Sequence, residues 1–395
     1  MTSIPLRLAA WSLAPVAAAL AVTLGAGFAL KAQCLGADWD GRQFSRLCYN
    51  DVQPLYGLRG VDTHTFPYVR GSLREGELVD GGIEYPVLTG LFMWLAGLPA
   101  GDANEFFVVT AVLLAGVALV PTALLARMVG VRTLLWATSP ALAFYAFHNW
   151  DLLAVAAAVA GFWFWYRRQP LAAAALFAVG GSFKLFPLLF LVPLALERLS
   201  LRDRRGAALT LGAGLLTAAA VNLPFAAVNL EGWWATYRFH QLRDPNGDST
   251  WGLVASSLSP GQVNALSGGL TLLAAIAVLA AAWRQRGRFP FLPACAALLA
   301  VFLLFGKVQS PQYSLWIMPF FVLLRAPLRW WVAYAVVDVL VYLAVFRWLF
   351  DHTQGRFGFG LVELGVWVGV WGRAALLAAL AVVFLRSLPV ATPAR

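Results

Sequence analysis

Long apolar runs constrain this chain more than any other feature. Residues 9–30 carry no ionisable side chain and residues 104–126 carry one, and further apolar stretches follow to the C-terminus. A helix needs about 20 apolar residues to cross the roughly 30 Å hydrocarbon core of a bilayer. Composition agrees: 61% of the chain is hydrophobic, 12% is charged and the mean hydropathy is +0.73. An ordinary soluble domain is excluded, and the expected fold is an all-α polytopic membrane protein, a single integral domain over 1–395. The net charge of +10 is therefore no sign of nucleic acid, because basic residues in such proteins flank the spans on the cytoplasmic side.

Residues 9–30 are too long for a secretory h-region and precede no clean small-x-small site, which predicts an uncleaved first helix. Further crossings are expected near 104–126, 133–147, 152–166, 170–182, 185–197, 206–224, 264–283, 290–305, 314–327, 328–346 and 359–385, about twelve in all. Residues 83–99 would make only about 25 Å of helix. A crossing there would also push Arg127 and Arg132 outside, so an interfacial or re-entrant helix is expected within a first extracytoplasmic loop spanning 31–103. With Arg7 ahead of the first helix, both termini then lie in the cytoplasm of a bacterial plasma membrane. Inside loops collect Arg198, Arg202, Arg204, Arg205, Arg284, Arg286, Arg288, Arg325 and Arg329 against the acids Glu197 and Asp203. Most carboxylates and His64, His148, His240 and His352 fall outside.

On this topology the unusual polar residues gather at one face: Asp51 and Glu84, His148-Asn149-Trp150-Asp151, Lys184, His240, and the run from Lys307 through Gln309, Ser310 and Gln312 to Tyr313. Ionisable groups at membrane depth are costly and by default functional; against that, loops must be polar somewhere. Every cation but Lys31, Lys184 and Lys307 is arginine. Lys184 divides two half-length apolar runs, a pattern of broken helices around a polar cavity. An ammonium at such a boundary is a point charge suited to phosphate oxygen, or a snorkelling helix-end residue. Asp51, with Tyr49 and Asn50 before it, is the candidate general base; Asp38, Asp40 and Asp62 are rivals. Asp151 and Glu84 also read as helix-starting acids. Cys34 and Cys48 share the first loop, where a disulfide and two free thiols are both open, while Cys295 reads as a small core residue. No metal-ligand spacing, phosphate-cradling glycine loop or serine elbow stands out.

The runs Cys48-Tyr49-Asn50-Asp51-Val52, Leu55-Tyr56-Gly57-Leu58-Arg59-Gly60, Glu84-Tyr85-Pro86 through Gly90, His148 through Val155, and Lys184-Leu185-Phe186-Pro187 resemble actinobacterial integral membrane glycosyltransferases of the GT-C class. The resemblance is to family 87, which includes polyprenyl-phosphate-mannose-dependent α-mannosyltransferases, and it covers about residues 40–320. It implies a catalytic aspartate in the first extracytoplasmic loop, matching Asp51, and a lipid-phosphate sugar donor. Some relatives in the wider class use paired acids and a metal; one aspartate stands at that point here, so no cofactor is indicated and a divalent metal stays open.

The resulting expectation is transfer of mannose, or a related sugar, from a polyprenyl phosphate to a lipid-linked or cell-envelope glycan acceptor at the outer face of the bilayer, with inversion. Asp51 acts as base and Lys184 and Lys307 hold the donor phosphate. Tyr49, Glu84, Asn149, Asp151, His240, Gln309, Gln312 and Tyr313 are expected at the substrates. The rival reading is a secondary transporter or lipid flippase, which would commonly show internal repeats and a midplane site; no repeat is evident.

Overall fold

The structure is a computed structural model that describes residues 6–255, 257–358 and 360–391. It is built of helices, with one short β-hairpin in the 31–103 segment. Among the described residues six helices are long and apolar enough to cross a membrane. They are Leu6–Ala32, Ala103–Val129, Arg204–Val228, Pro260–Trp283, Leu328–Thr353 and Leu361–Arg386. The helix expected at 9–30 is thus present, although the side chain of Arg7 lies outside the described residues.

The other apolar runs, expected to bring the crossings to about twelve, form shorter or interrupted helices among the described residues. The run at 133–147 is interrupted at Thr138-Ser139, giving the short helices Leu134–Ala137 and Pro140–Tyr145. Ser139 caps the second through the Leu142 amide and Pro140 fills its first position, a start that favours helix over continuation of the previous turn. Asp151–Tyr166 and Phe291–Phe305 have 16 and 15 residues, too short at 1.5 Å per residue for the full core. Both are buried along nearly their whole length. Ser314–Leu323 ends early and the chain runs extended into Pro327. Hydropathy reports that these runs avoid water, and here neighbouring helices cover them.

The long helices show the opposite exposure. Leu215, Leu216, Leu272 and Leu273 are each more than 60% exposed, a lipid-facing surface that a soluble protein would not tolerate. Inside, Phe162 meets Phe177, Phe190 and Phe320 with ring centres 5.1–5.3 Å apart. Asp151–Tyr166 packs against Pro170–Gly181 and against Ala103–Val129. The 170–200 region is broken as expected: Pro170–Gly181 ends at Ser182, and a 3-10 turn Phe186–Phe190 leads into Leu191–Ser200. Lys184 sits in the break.

The 31–103 segment is ordered by local chemistry. Cys34 and Cys48 form a disulfide. Ser72–Arg74 pairs antiparallel with Glu77–Val79 around a turn in which Glu75 and Gly76 both have positive φ, the backbone that suits a tight hairpin. The expected interfacial helix is shorter than 83–99 and covers Val87–Gly97, about 16 Å long and unable to span. It rests on Tyr68, whose hydroxyl donates to the Tyr85 and Pro86 carbonyls at 2.9 and 3.0 Å. A Cβ added at Gly90 would lie 2.2 Å from that hydroxyl, so glycine is required there.

Candidate active site

Asn50 decides where Asp51 points. Its side chain accepts from the Gln53 amide at 3.0 Å and donates to Gln53 Oε1 at 2.8 Å, starting the Val52–Leu58 helix. The Asp51 side chain makes no capping bond and is left free for the cavity. The Asp51 amide donates to the His148 carbonyl at 2.8 Å, joining the first loop to the turn before Asp151–Tyr166.

Both carboxylate oxygens of Asp51 are oriented. Oδ1 accepts from the Tyr49 hydroxyl at 3.0 Å and Oδ2 from Asn149 Nδ2 at 2.6 Å. The Asn149 amide is itself fixed, because its oxygen accepts from the Trp150 amide at 2.6 Å and its Nδ2 also reaches the Tyr85 hydroxyl at 2.8 Å. Burial pushes the Asp51 carboxyl above the ordinary range; the Asn149 bond, Lys184, the Tyr49 bond and Lys31 pull the other way. A carboxylate made more basic by its surroundings yet still oriented suits proton abstraction.

Lys184 Nζ lies 3.4 Å from Asp151 Oδ2 and 4.3 Å from the centre of the Tyr85 ring. Asp151 is fully buried and its Oδ1 accepts from Trp316 Nε1 at 2.7 Å. Asp151 therefore sits behind the site, holding Lys184, and does not line the cavity. Gln309 is also turned away: its amide donates to the Leu303 carbonyl and accepts from Arg373 at 3.2 Å. These two positions differ from the substrate contacts expected of them.

The remaining candidates share one cavity of about 1110 Å³, lined by Tyr49, Asp51, Glu84, Asn149, Lys184, His240, Lys307, Gln312 and Tyr313. Leu185, Leu189, Leu272, Ala275 and Phe302 supply an apolar side. Gln312 is 3% exposed and its Oε1 has no partner among the described residues, a buried acceptor that calls for a ligand or water donor. Tyr313 stacks on Trp316 with ring centres 3.9 Å apart. Lys307 donates to the His240 and Arg243 carbonyls at 2.9 and 2.7 Å, leaving one ammonium hydrogen for an anion. Burial, with Arg243 nearby, lowers its pKa.

Two candidates have their chemistry narrowed by neighbours. Glu84 pairs with Arg59 at 2.5 Å, so it is a neutralised acid rather than a second base. Burial drives the His240 pKa down to about 4, so the ring is neutral at ordinary pH. Its Nε2 lies 2.7 Å from the Glu84 carbonyl, which only accepts; Nε2 therefore carries the hydrogen and Nδ1 can only accept. Sequence reasoning missed Arg59 and the cavity-lining Arg243, because both were read among the routine arginines. It also passed over Tyr85, whose place between Asn149 and Lys184 no local pattern announces. Among the described residues no three His, Cys, Asp or Glu side chains converge as a metal-binding group.

The profile of Glycosyltransferase family 87 matches residues 84–311, more than half of the chain. This protein belongs to glycosyltransferase family 87. The matched region contains Asn149, Lys184, His240 and Lys307, and membership decides against the transporter reading. Among solved structures the family 87 chain is similar to ArnT from Cupriavidus metallidurans bound to undecaprenyl phosphate. The two are 15% identical over 94% of this chain and 78% of that one, at a TM-score of 0.48. No curated protein matches it. The chain is a multi-pass membrane glycosyltransferase.

Proposed function

We propose that this enzyme transfers mannose, or a related sugar, from a polyprenyl phosphate to a lipid-linked or cell-envelope glycan acceptor at the outer face of the membrane. The observation that carries this reading is the Asp51 carboxylate, aimed by Tyr49 and Asn149 into a cavity that also holds Lys184, Arg243 and Lys307. The acceptor hydroxyl attacks the donor C1 and gives its proton to Asp51. The C1–oxygen bond to phosphate breaks on the opposite face, so the anomeric centre inverts. Lys184, with Lys307 and Arg243, stabilises the departing phosphate, an electrostatic task that commonly dominates such barriers. Gln312 and the accepting Nδ1 of His240 suit sugar hydroxyls, and the apolar cavity side suits the start of a polyprenyl chain. The expected orientation, with the 31–103 segment outside and both termini inside, is favoured by the arginine distribution.

Incubating the purified enzyme with labelled polyprenyl phosphate mannose and lipid acceptors tests this. Labelled glycolipid of inverted configuration is expected. Transfer only from another polyprenyl-phosphate sugar would change the sugar; transfer from nucleotide sugars alone would overturn the reading.

A further inference from the structure

Arg373 lies midway along the helix Leu361–Arg386 and is only 4% exposed. A guanidinium is therefore buried near the centre of a segment long and apolar enough to cross a membrane, where an ionisable group is costly and by default functional. Its Nη2 donates to Gln309 Oε1 at 3.2 Å and to the Asp248 carbonyl at 3.3 Å. Both acceptors are neutral. The orientation of Gln309 is fixed, because its Nε2 donates to the Leu303 carbonyl and leaves Oε1 for the guanidinium.

The two acceptors stand on two stretches of non-helical backbone, residues 243–248 and 306–310. Irregular backbone at membrane depth persists where protein buries it or a cavity borders it, and its carbonyls need donors. These stretches are joined twice. Lys307 Nζ donates to the Arg243 carbonyl at 2.7 Å, and Arg373 bonds Gln309 on one stretch and Asp248 on the other. Arg243 is steered within its own stretch, since its Nη2 donates to Asn246 Oδ1 at 2.8 Å. Lys307 and Arg243 line the cavity.

We infer that Arg373 is a positioning residue for the donor phosphate, setting from within a helix the spacing of the two stretches that present Lys307 and Arg243. The inference deepens the proposed reaction and rests on it for the identity of the anion. Lys307 and Arg243 are like charges close enough to oppose one another, so before an anion arrives their attachment must resist separation. Arg373 supplies that resistance through uncharged oxygens, and its own charge is permanent. A cation pair held together in advance costs no reorganisation when phosphate enters or departs. Gln309, expected at the substrate and found turned from it, thereby acts on the cavity through Lys307, two residues away in the same stretch.

The test measures binding of sugar-free polyprenyl phosphate to the full-length protein in lipid nanodiscs, beside the donor KM and the pH–rate profile. Arg373→Met should weaken polyprenyl phosphate binding and raise the donor KM about tenfold, with the acid limb set by Asp51 unmoved. Gln309→Leu, which breaks the clamp and leaves the guanidinium, should weaken binding in the same direction. A purely structural arginine would lower the melting temperature and leave the affinity of the folded protein unchanged. Wild-type affinity in folded Arg373→Met, or a loss confined to turnover, would overturn the inference while the proposed donor stands. Failure of the wild-type protein to bind polyprenyl phosphate would overturn the proposed donor and this inference with it. Should Arg373→Met fail to fold, Gln309→Leu decides: unchanged binding there overturns the inference.

Discussion

Lys184 Nζ sits 3.4 Å from Asp151 Oδ2, and the two residues face different environments. The acid is fully buried, whereas the lysine borders the cavity. The pair is therefore asymmetric: Asp151 holds the lysine in place and Lys184 presents charge to the substrate. Asp51, by contrast, has no cation in hydrogen-bond contact among the described residues, only Tyr49 and Asn149, and keeps its carboxylate available.

Asp51→Asn preserves size and part of the hydrogen bonding but removes the basic oxygen. Turnover should fall about a hundredfold or more while donor affinity, carried by the cations, is retained. Equal expression and melting temperature establish that the variant is folded. Wild-type turnover in such a protein would remove Asp51 as the base.

Lys184→Met should weaken donor binding and turnover together, and it should also destabilise the protein, because it strands the buried Asp151 charge. Breaking a buried pair from one side costs about 3–5 kcal/mol. The double variant Asp151→Asn with Lys184→Met should recover most of the melting temperature and none of the donor affinity. Recovery of both would make Lys184 structural.

Activity should fail on the acid side at a pH above the ordinary carboxylate value of roughly 4, because burial raises Asp51 and only its ionised form accepts a proton. The groups opposing that shift are Asn149, Lys184, Tyr49 and Lys31. Loss of the Lys184 charge should therefore move the acid limb of the pH–rate profile further upward. The same raised pKa means that folded protein holds its proton longer than unfolded chain. Wild-type stability should then decline relative to Asp51→Asn as pH rises from the unfolded value through the folded one. A limb at the ordinary carboxylate value, unmoved in Lys184→Met, would contradict this.

The Cys34–Cys48 bridge ends one residue before Tyr49 and three before Asp51. Alkylation under non-reducing conditions should find neither thiol free, and Cys295, being buried, should react only on unfolding. A closed loop of this length is worth about 3 kcal/mol. Paired Cys34→Ser and Cys48→Ser should lower the melting temperature and reduce turnover, measured in the same preparation. Quantitative alkylation of the unreduced protein would remove the bridge.

Several features were legible in the sequence because they depend on composition and short-range pattern. Long apolar runs announce a membrane protein, and an isolated lysine between two half-length runs announces a broken helix; Tyr49 was legible as a partner of Asp51, whereas Asn50 turns instead to Gln53. The number of crossings was not legible, because apolarity is the same signal whether lipid or protein covers a helix. Asp151–Tyr166 and Phe291–Phe305 are buried by neighbours that hydropathy cannot see.

The sequence by itself determined that this chain is helical, enters a membrane and carries Asp51 and Lys184 where charge is costly. Only the tertiary structure decided what each charge does. Asn149 reaches Asp51 across 98 residues of chain, and Tyr342 reaches Lys31 across 311. Glu84 is neutralised by Arg59 and Asp151 is withdrawn behind Lys184. Partnership at such separations is set by packing rather than by local pattern, and a buried charge takes its role from the one or two groups that packing brings within hydrogen-bond reach.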